Sequence, residues 1–155
     1  MSESGLGAGW YEKDYTTYGY EFGTFGSRFD LFDESLTRIE DRLAALIPPP
    51  VRKLPILIGG TGPKRSLPAV ARHADIWHAF QDLDAFCGSS ERVDELAQTY
   101  GRNGADIERS TLWQNPDSAD AFREAGVTLF QTGLTSDNGY DLTSLKQVLT
   151  WRDNG

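Results

Sequence analysis

The sequence predicts an α/β fold built on a parallel sheet, and three observations carry that expectation. Short apolar runs alternate with amphipathic helical stripes, the order expected of successive βα units. The run Leu54-Pro55-Ile56-Leu57-Ile58 is continuous rather than alternating, as in a strand covered on both faces. It ends at Gly59-Gly60 and passes within a few residues into a helical pattern, so a glycine turn joins a strand end to a helix start.

Residues 5–26 are rich in Gly, Tyr and Phe without periodicity and read as a loop. Ser27 is the predicted opening of a helix, with Asp30 completing a capping-box-like pair. Phe29, Phe32, Leu36, Ile39, Leu43 and Leu46 recur at spacings of three and four, which places one apolar stripe on that helix, and Pro48-Pro49-Pro50 ends it. After the strand at 54–58, Gly62-Pro63 is the predicted start of a helix with Leu67, Val70, Ala71 and Ala74 on its inner face. Asp75–Phe80 reads as a second strand, residues 83–101 as a helix ending at Gly101, and Ser110–Trp113 as a minor strand. Asn115-Pro116 opens a helix that Gly126 closes, Val127–Leu134 is the last strand, and Asp141 caps a final helix.

The 155 residues suffice for one domain, 1–155, with no internal repeat or low-complexity tract. Four Trp, six Tyr and eight Phe supply core material, which argues against disorder. No apolar run approaches the ~18 residues of a membrane span. Met1-Ser2-Glu3-Ser4 leads into Gly-rich sequence without the basic and apolar regions of a signal peptide. One cysteine, Cys87, excludes an internal disulfide and fits a cytoplasmic location. A net charge of −8 argues against nucleic acid as the main partner.

That charge is unevenly spread. Residues 51–80 carry Arg52, Lys53, Lys64, Arg65 and Arg72 against Asp75 alone, a positive island in an acidic chain. Arg72 and Lys53 read as solvated surface. The island contains Gly59-Gly60-Thr61-Gly62-Pro63-Lys64-Arg65, where glycines let backbone N–H groups approach an anion and the following helix offers further unpaired donors. Thr61 adds a hydroxyl, and Lys64 and Arg65 add charge, so the segment has the composition of a phosphate cradle. It is not a Walker loop, because Pro63 separates Gly62 from Lys64, and it is not a dinucleotide fingerprint, because Arg65 stands where a third small residue is required. The alternative is a tight turn that holds no ligand.

Other candidates are weaker. His73 and His78 are five residues apart, the wrong spacing for two ligands on one helix face, so no metal site is expected. Cys87 has no neighbouring histidine and reads as a packed helix residue. Tyr11, Tyr15, Tyr18 and Tyr20 read as an aromatic packing cluster. His78 stands at a strand end, where it either bonds a ligand or is a satisfied core residue. No spacing identifies a catalytic residue.

Several segments together resemble the luciferase-like flavin- and deazaflavin-dependent oxidoreductases. They are Gly5-Leu6-Gly7-Ala8-Gly9-Trp10-Tyr11, Tyr18-Gly19, Arg28-Phe29-Asp30, Pro55–Arg65, Ala71–Trp77, Tyr100-Gly101-Arg102, Ala125-Gly126-Val127 and Trp151-Arg152-Asp153. The resemblance implies a partial (β/α)₈ barrel, the C-terminal half of the fold with about four βα units. A full barrel takes roughly 250 residues. It further implies that Gly59, Gly60, Thr61 and Gly62 hold a coenzyme phosphate. The coenzyme implied is F420, with FMN as the alternative, and the chemistry is hydride transfer or monooxygenation of a small organic substrate. A second reading is a non-catalytic remnant that binds a phosphate-bearing coenzyme or a partner chain. The sequence departs from the family in three places: Met1–Ser4 is polar where an apolar strand is usual, a segment between Leu43 and Pro48 is missing, and His78 replaces the usual Asn. An incomplete barrel leaves strand edges and an apolar interior open, so a homodimer or pairing with a separate N-terminal half is expected.

Overall fold

The computed structural model describes residues 3–134 and 139–154. Five strands, β1 (Ser4–Leu6), β2 (Ile56–Gly59), β3 (Ile76–His78), β4 (Glu108–Leu112) and β5 (Val127–Gln131), form one parallel sheet. Their order in the sheet is their order in the chain. Parallel strands joined by right-handed crossovers that always step in the same direction carry all their helices on one face. That is the wall of a (β/α)₈ barrel, whereas a doubly wound sheet reverses its order at a switch point. The expected partial barrel is therefore the architecture found.

The helices are α1 (Glu12–Tyr18), α2 (Phe25–Ala44), α3 (Ser66–His73), α4 (Leu83–Thr99), α5 (Pro116–Glu124) and α6 (Thr143–Asn154). Side chains alternate across the strands, and the alternation assigns the two faces. Ile56, Ile58, Trp77 and Val127 point to the helical layer and share a core with Phe32, Leu36, Leu67, Val70, Phe86, Val93 and Phe122. Trp77 is fully buried and stacks on Phe86 of α4, with ring centroids 5.2 Å apart, and Phe86 meets Phe122 of α5 edge-on at 5.4 Å. Gly59, His78 and Ser110 are aligned in register on the opposite, inner face.

Most helix starts follow the expected capping chemistry. Asp82 accepts from the Ala85 amide and Asn115 from the Ser118 amide, both at 2.9 Å. Asp141 accepts from the Thr143 amide at 2.9 Å.

Several expectations are corrected. Residues 5–26 are not wholly loop, because β1 and α1 lie within them. Ser4-Gly5-Leu6 carries no strand pattern of its own, and its extension comes from pairing with Ile56-Leu57-Ile58. Met1 and Ser2 lie outside the described residues, while Ser4, read as part of a polar stretch, begins this strand. The strand makes five βα units where about four were counted. No α1 residue is buried, so no apolar stripe announces that helix. Helix α2 starts earlier than Ser27, because Thr24 is the cap: its hydroxyl accepts from the Ser27 amide at 3.1 Å, and Ser27 returns a bond to the Thr24 amide at 2.9 Å. Helix α3 begins at Ser66 rather than at Gly62-Pro63, because the Leu67 amide reaches back to the Gly62 carbonyl at 3.0 Å and forms a wide turn first. The segment read as a minor strand is a full five-residue member of the sheet.

Phe86 joins α4, β3 and α5, so Phe86→Ala is expected to lower unfolding free energy by about 3–5 kcal/mol. Tyr18→Ala, at an exposed position on α1, is expected to change it by less than about 0.5 kcal/mol. Urea unfolding followed by tryptophan fluorescence compares the two.

Candidate functional site

The C-terminal ends of parallel barrel strands face the same way, and the loops that follow them form the site-bearing rim. The loop after β2 is held by its neighbour β3 from both sides. The Gly60 amide donates to the His78 carbonyl at 3.1 Å, and the Gly60 carbonyl accepts from the Trp77 indole Nε1 at 2.9 Å. Gly60 has φ +122°, a region that L side chains avoid, and a Cβ there would lie 3.1 Å from the Ser66 hydroxyl. Gly62 would press the same hydroxyl at 3.2 Å. The two glycines let the loop fold over the first residue of α3.

The amides of Thr61, Gly62, Lys64 and Arg65 make no backbone hydrogen bond among the described residues. They lie immediately before α3, whose cap residue Arg65 supplies no side-chain cap. Successive free N–H groups at a helix N-terminus are suited to hold an anion. Gly59 differs from Gly60 and Gly62. A Cβ on it would meet only the His78 carbonyl at 3.9 Å, so its missing side chain leaves room on the inner face.

The positive island is more committed than its sequence suggests. Arg65 binds Asp30 at 2.6 Å and Asp33 at 3.1 Å, tying the loop to α2, and these carboxylates raise its pKa. Lys53 pairs with Asp75, and Arg72 lies over the Tyr100 ring at 4.6 Å. Both stay exposed, the surface position expected, with these partners added. Lys64 is exposed and makes no ion pair among the described residues. It remains the side-chain cation beside the free amides.

His78 is on the inner face at the end of β3 and is 3% exposed. Its Nδ1 is 2.8 Å from the Ser110 hydroxyl, and its ring meets Phe80 edge-on at 4.5 Å. Its Nε2 is buried without a hydrogen-bond partner. Burial lowers its pKa below the ordinary histidine value, so the imidazole is neutral near pH 7. The sequence offered ligand contact or a satisfied core role, and the structure satisfies one ring nitrogen and leaves the other open.

The remaining candidates do not assemble into a site. Cys87 is half-buried in α4. Of the tyrosines, Tyr15 packs against Phe22 and Tyr11 against Trp10, while Tyr18 and Tyr20 are exposed, so they form no single cluster. His73 bonds Glu40 of α2 at 3.0 Å. Among the described residues no group of three metal-ligating side chains occurs, and no helix is long and apolar enough to cross a membrane.

The two kinds of glycine predict different responses. Gly60→Ala meets both a forbidden φ and Ser66, and is expected to cost about 1–3 kcal/mol of stability. Gly59→Ala is expected to fold with little change. Thermal melts of the two variants distinguish these outcomes.

A sequence profile of the luciferase-like monooxygenase family matches residues 3–115. No curated protein matches the chain. Among solved structures, an F420-dependent secondary alcohol dehydrogenase in complex with an F420–acetone adduct is similar in fold. Its TM-score is 0.64 at 17% identity, over 78% of this chain and 43% of that one. A coenzyme F420-dependent tetrahydromethanopterin reductase from Methanopyrus kandleri matches at 18% identity over 41% of this chain and 20% of that one, with a TM-score of 0.35. The chain thus spans less than half the length of the structures it resembles. The profile covers most of the sequence, and its match agrees with a barrel-wall sheet bearing its glycine loop at a strand's C-terminal end. The chain belongs to the luciferase-like monooxygenase family.

Proposed function

We propose that this chain is part of an oxidoreductase that uses coenzyme F420, and that Gly59, Gly60, Thr61 and Gly62 form the site of the coenzyme phosphate. The observation that carries this reading is the set of unpaired amides of Thr61, Gly62, Lys64 and Arg65 in the loop after a barrel strand. The free donors and Lys64 suit a phosphate, so the residues present fit such a group. Thr61 and the backbone amides would donate to phosphate oxygens, and Lys64 would add charge from the rim. Arg65 acts at one remove by fixing the loop to α2 through Asp30 and Asp33. The bound deazaflavin supplies hydride chemistry toward a small organic substrate. An F420 complex of a protein with this fold favours the deazaflavin over FMN.

A titration with F420, read by its fluorescence, is expected to saturate, with FMN binding more weakly. Lys64→Ala is expected to weaken F420 roughly tenfold, about 1.4 kcal/mol, and added salt is expected to weaken wild-type binding. Absence of F420 binding, or a Lys64→Ala variant of unchanged affinity, overturns the phosphate assignment. FMN binding more tightly than F420 overturns the choice of coenzyme.

We also propose that the sheet recruits a further chain, either a second copy or an N-terminal half of the barrel. Among the described residues β1 and β5 each pair on one side only. Parallel edges of this kind attract further strands. Leu57, Ile76 and Leu129 add an apolar inner wall. Sedimentation is expected to find species heavier than 17.2 kDa, or a complex with a supplied N-terminal half. A monodisperse monomer with a cooperative melt that ignores the other half overturns this.

A further inference from the structure

We propose that His78 is a ligand-binding residue whose Nε2–H donates a hydrogen bond to a carbonyl oxygen of a molecule lying against the inner wall of the sheet. This rests on the F420 reading and names a contact that the phosphate loop does not provide.

The argument begins with Ser110. This residue is 0% exposed, and its hydroxyl has one hydrogen-bond partner among the described residues, the His78 Nδ1 at 2.8 Å. A buried hydroxyl has one proton to place. If Nδ1 carried a hydrogen, the Ser110 hydrogen would have no acceptor there. Ser110 therefore donates to Nδ1, and the neutral ring carries its own hydrogen on Nε2. That Nε2 is buried and unpartnered. It is the ring nitrogen farther from the backbone, on a side chain that projects from the inner face. Burial holds the ring neutral, so it is a donor without being a cation.

The surroundings supply the space. Gly59 is the register neighbour of His78 on β2, and no atom but the His78 carbonyl lies within 4 Å of where its Cβ would be. Gly5 and Gly7, at and just beyond β1, likewise have nothing within 4 Å of a Cβ position. The inner face is therefore open at these glycines, while the imidazole beside them is itself covered, with Phe80 against its edge. A flat ring or a small ketone over these glycines would border the imidazole, where the donor selects an acceptor oxygen. Two sources offer that oxygen: a carbonyl on the coenzyme ring system, or the carbonyl of the substrate.

The chain has two histidines, so imidazole ¹⁵N labelling gives two assignable sets of signals, with His73 as internal reference. Long-range ¹⁵N–¹H spectra near pH 7 are expected to show His78 protonated at Nε2 and bare at Nδ1. F420 is then added, followed by acetone. A shift of the His78 Nε2–H on F420 addition assigns the coenzyme carbonyl, and a shift only after acetone assigns the substrate carbonyl. His78→Phe, which keeps an aromatic ring and removes the donor, is expected to weaken whichever ligand moved the signal about tenfold. His78→Gln, whose amide N–H reaches the Nε2 position, is expected to recover part of that loss. A His78 protonated at Nδ1, or signals that stay fixed while F420 quenching reports binding, overturns the proposal and leaves the F420 reading intact. Failure of the wild-type chain to bind F420 overturns both.

Discussion

Gly60 is the point at which fold and site are joined. Its amide is held by the His78 carbonyl and its own carbonyl by the Trp77 indole, so two consecutive residues of β3 grip one residue of the neighbouring loop. Trp77 can do this because it is fully buried and stacked on Phe86. Helix α4 thus positions the glycine loop through one aromatic pair and one hydrogen bond. The same alternation that sends Trp77 into the helical layer sends His78 to the inner wall. A change in register at β3 would lose the loop anchor and the inward imidazole together.

The acidic chain keeps a local positive site by spending its cations unequally. Arg65 is drawn to Asp30 and Asp33, so it shapes the loop more than it charges it. What remains for an anion is a set of backbone dipoles with Lys64 at the rim. Fixed amides hold an anion without long side chains to immobilise, and they are screened less than an exposed lysine. The net charge of −8 and the proposed phosphate cradle are therefore compatible, because such a cradle depends on local dipoles rather than on the total.

The parts of this fold that were legible in the sequence are those with their own physical signal. The α2 stripe of Phe29, Phe32 and Leu36, the apolar run of β2 and the Asn115-Pro116 start of α5 each carry one. Strand β1 was missed because Ser-Gly-Leu becomes extended only through its neighbour. Helix α1 was missed because it buries nothing. Strand β4 looked minor because it is polar, yet Ser110 and Thr111 are buried on its two opposite faces. At the site, the glycines were legible but their separate reasons were not. Gly60 and Gly62 make way for Ser66, four to six residues on, whereas Gly59 leaves a gap beside a different strand. Ser110 and His78 lie 32 residues apart, so no local pattern joins them.

The sheet is one wall of a barrel, and a wall can do some tasks of an enzyme without the rest. Loop anchoring, the proposed phosphate contact and the orientation of His78 all depend on contacts within β2, β3, β4 and the helices behind them. Burial of a flat ring on both faces requires atoms opposite that wall. A single chain would therefore offer the charged and donor contacts of the proposed site, whereas exclusion of water from a reacting ring calls for atoms opposite the inner wall. Ligand contact and exclusion of water are separable on physical grounds, and among the described residues β1 and β5, each paired on one side only, are where further wall would join.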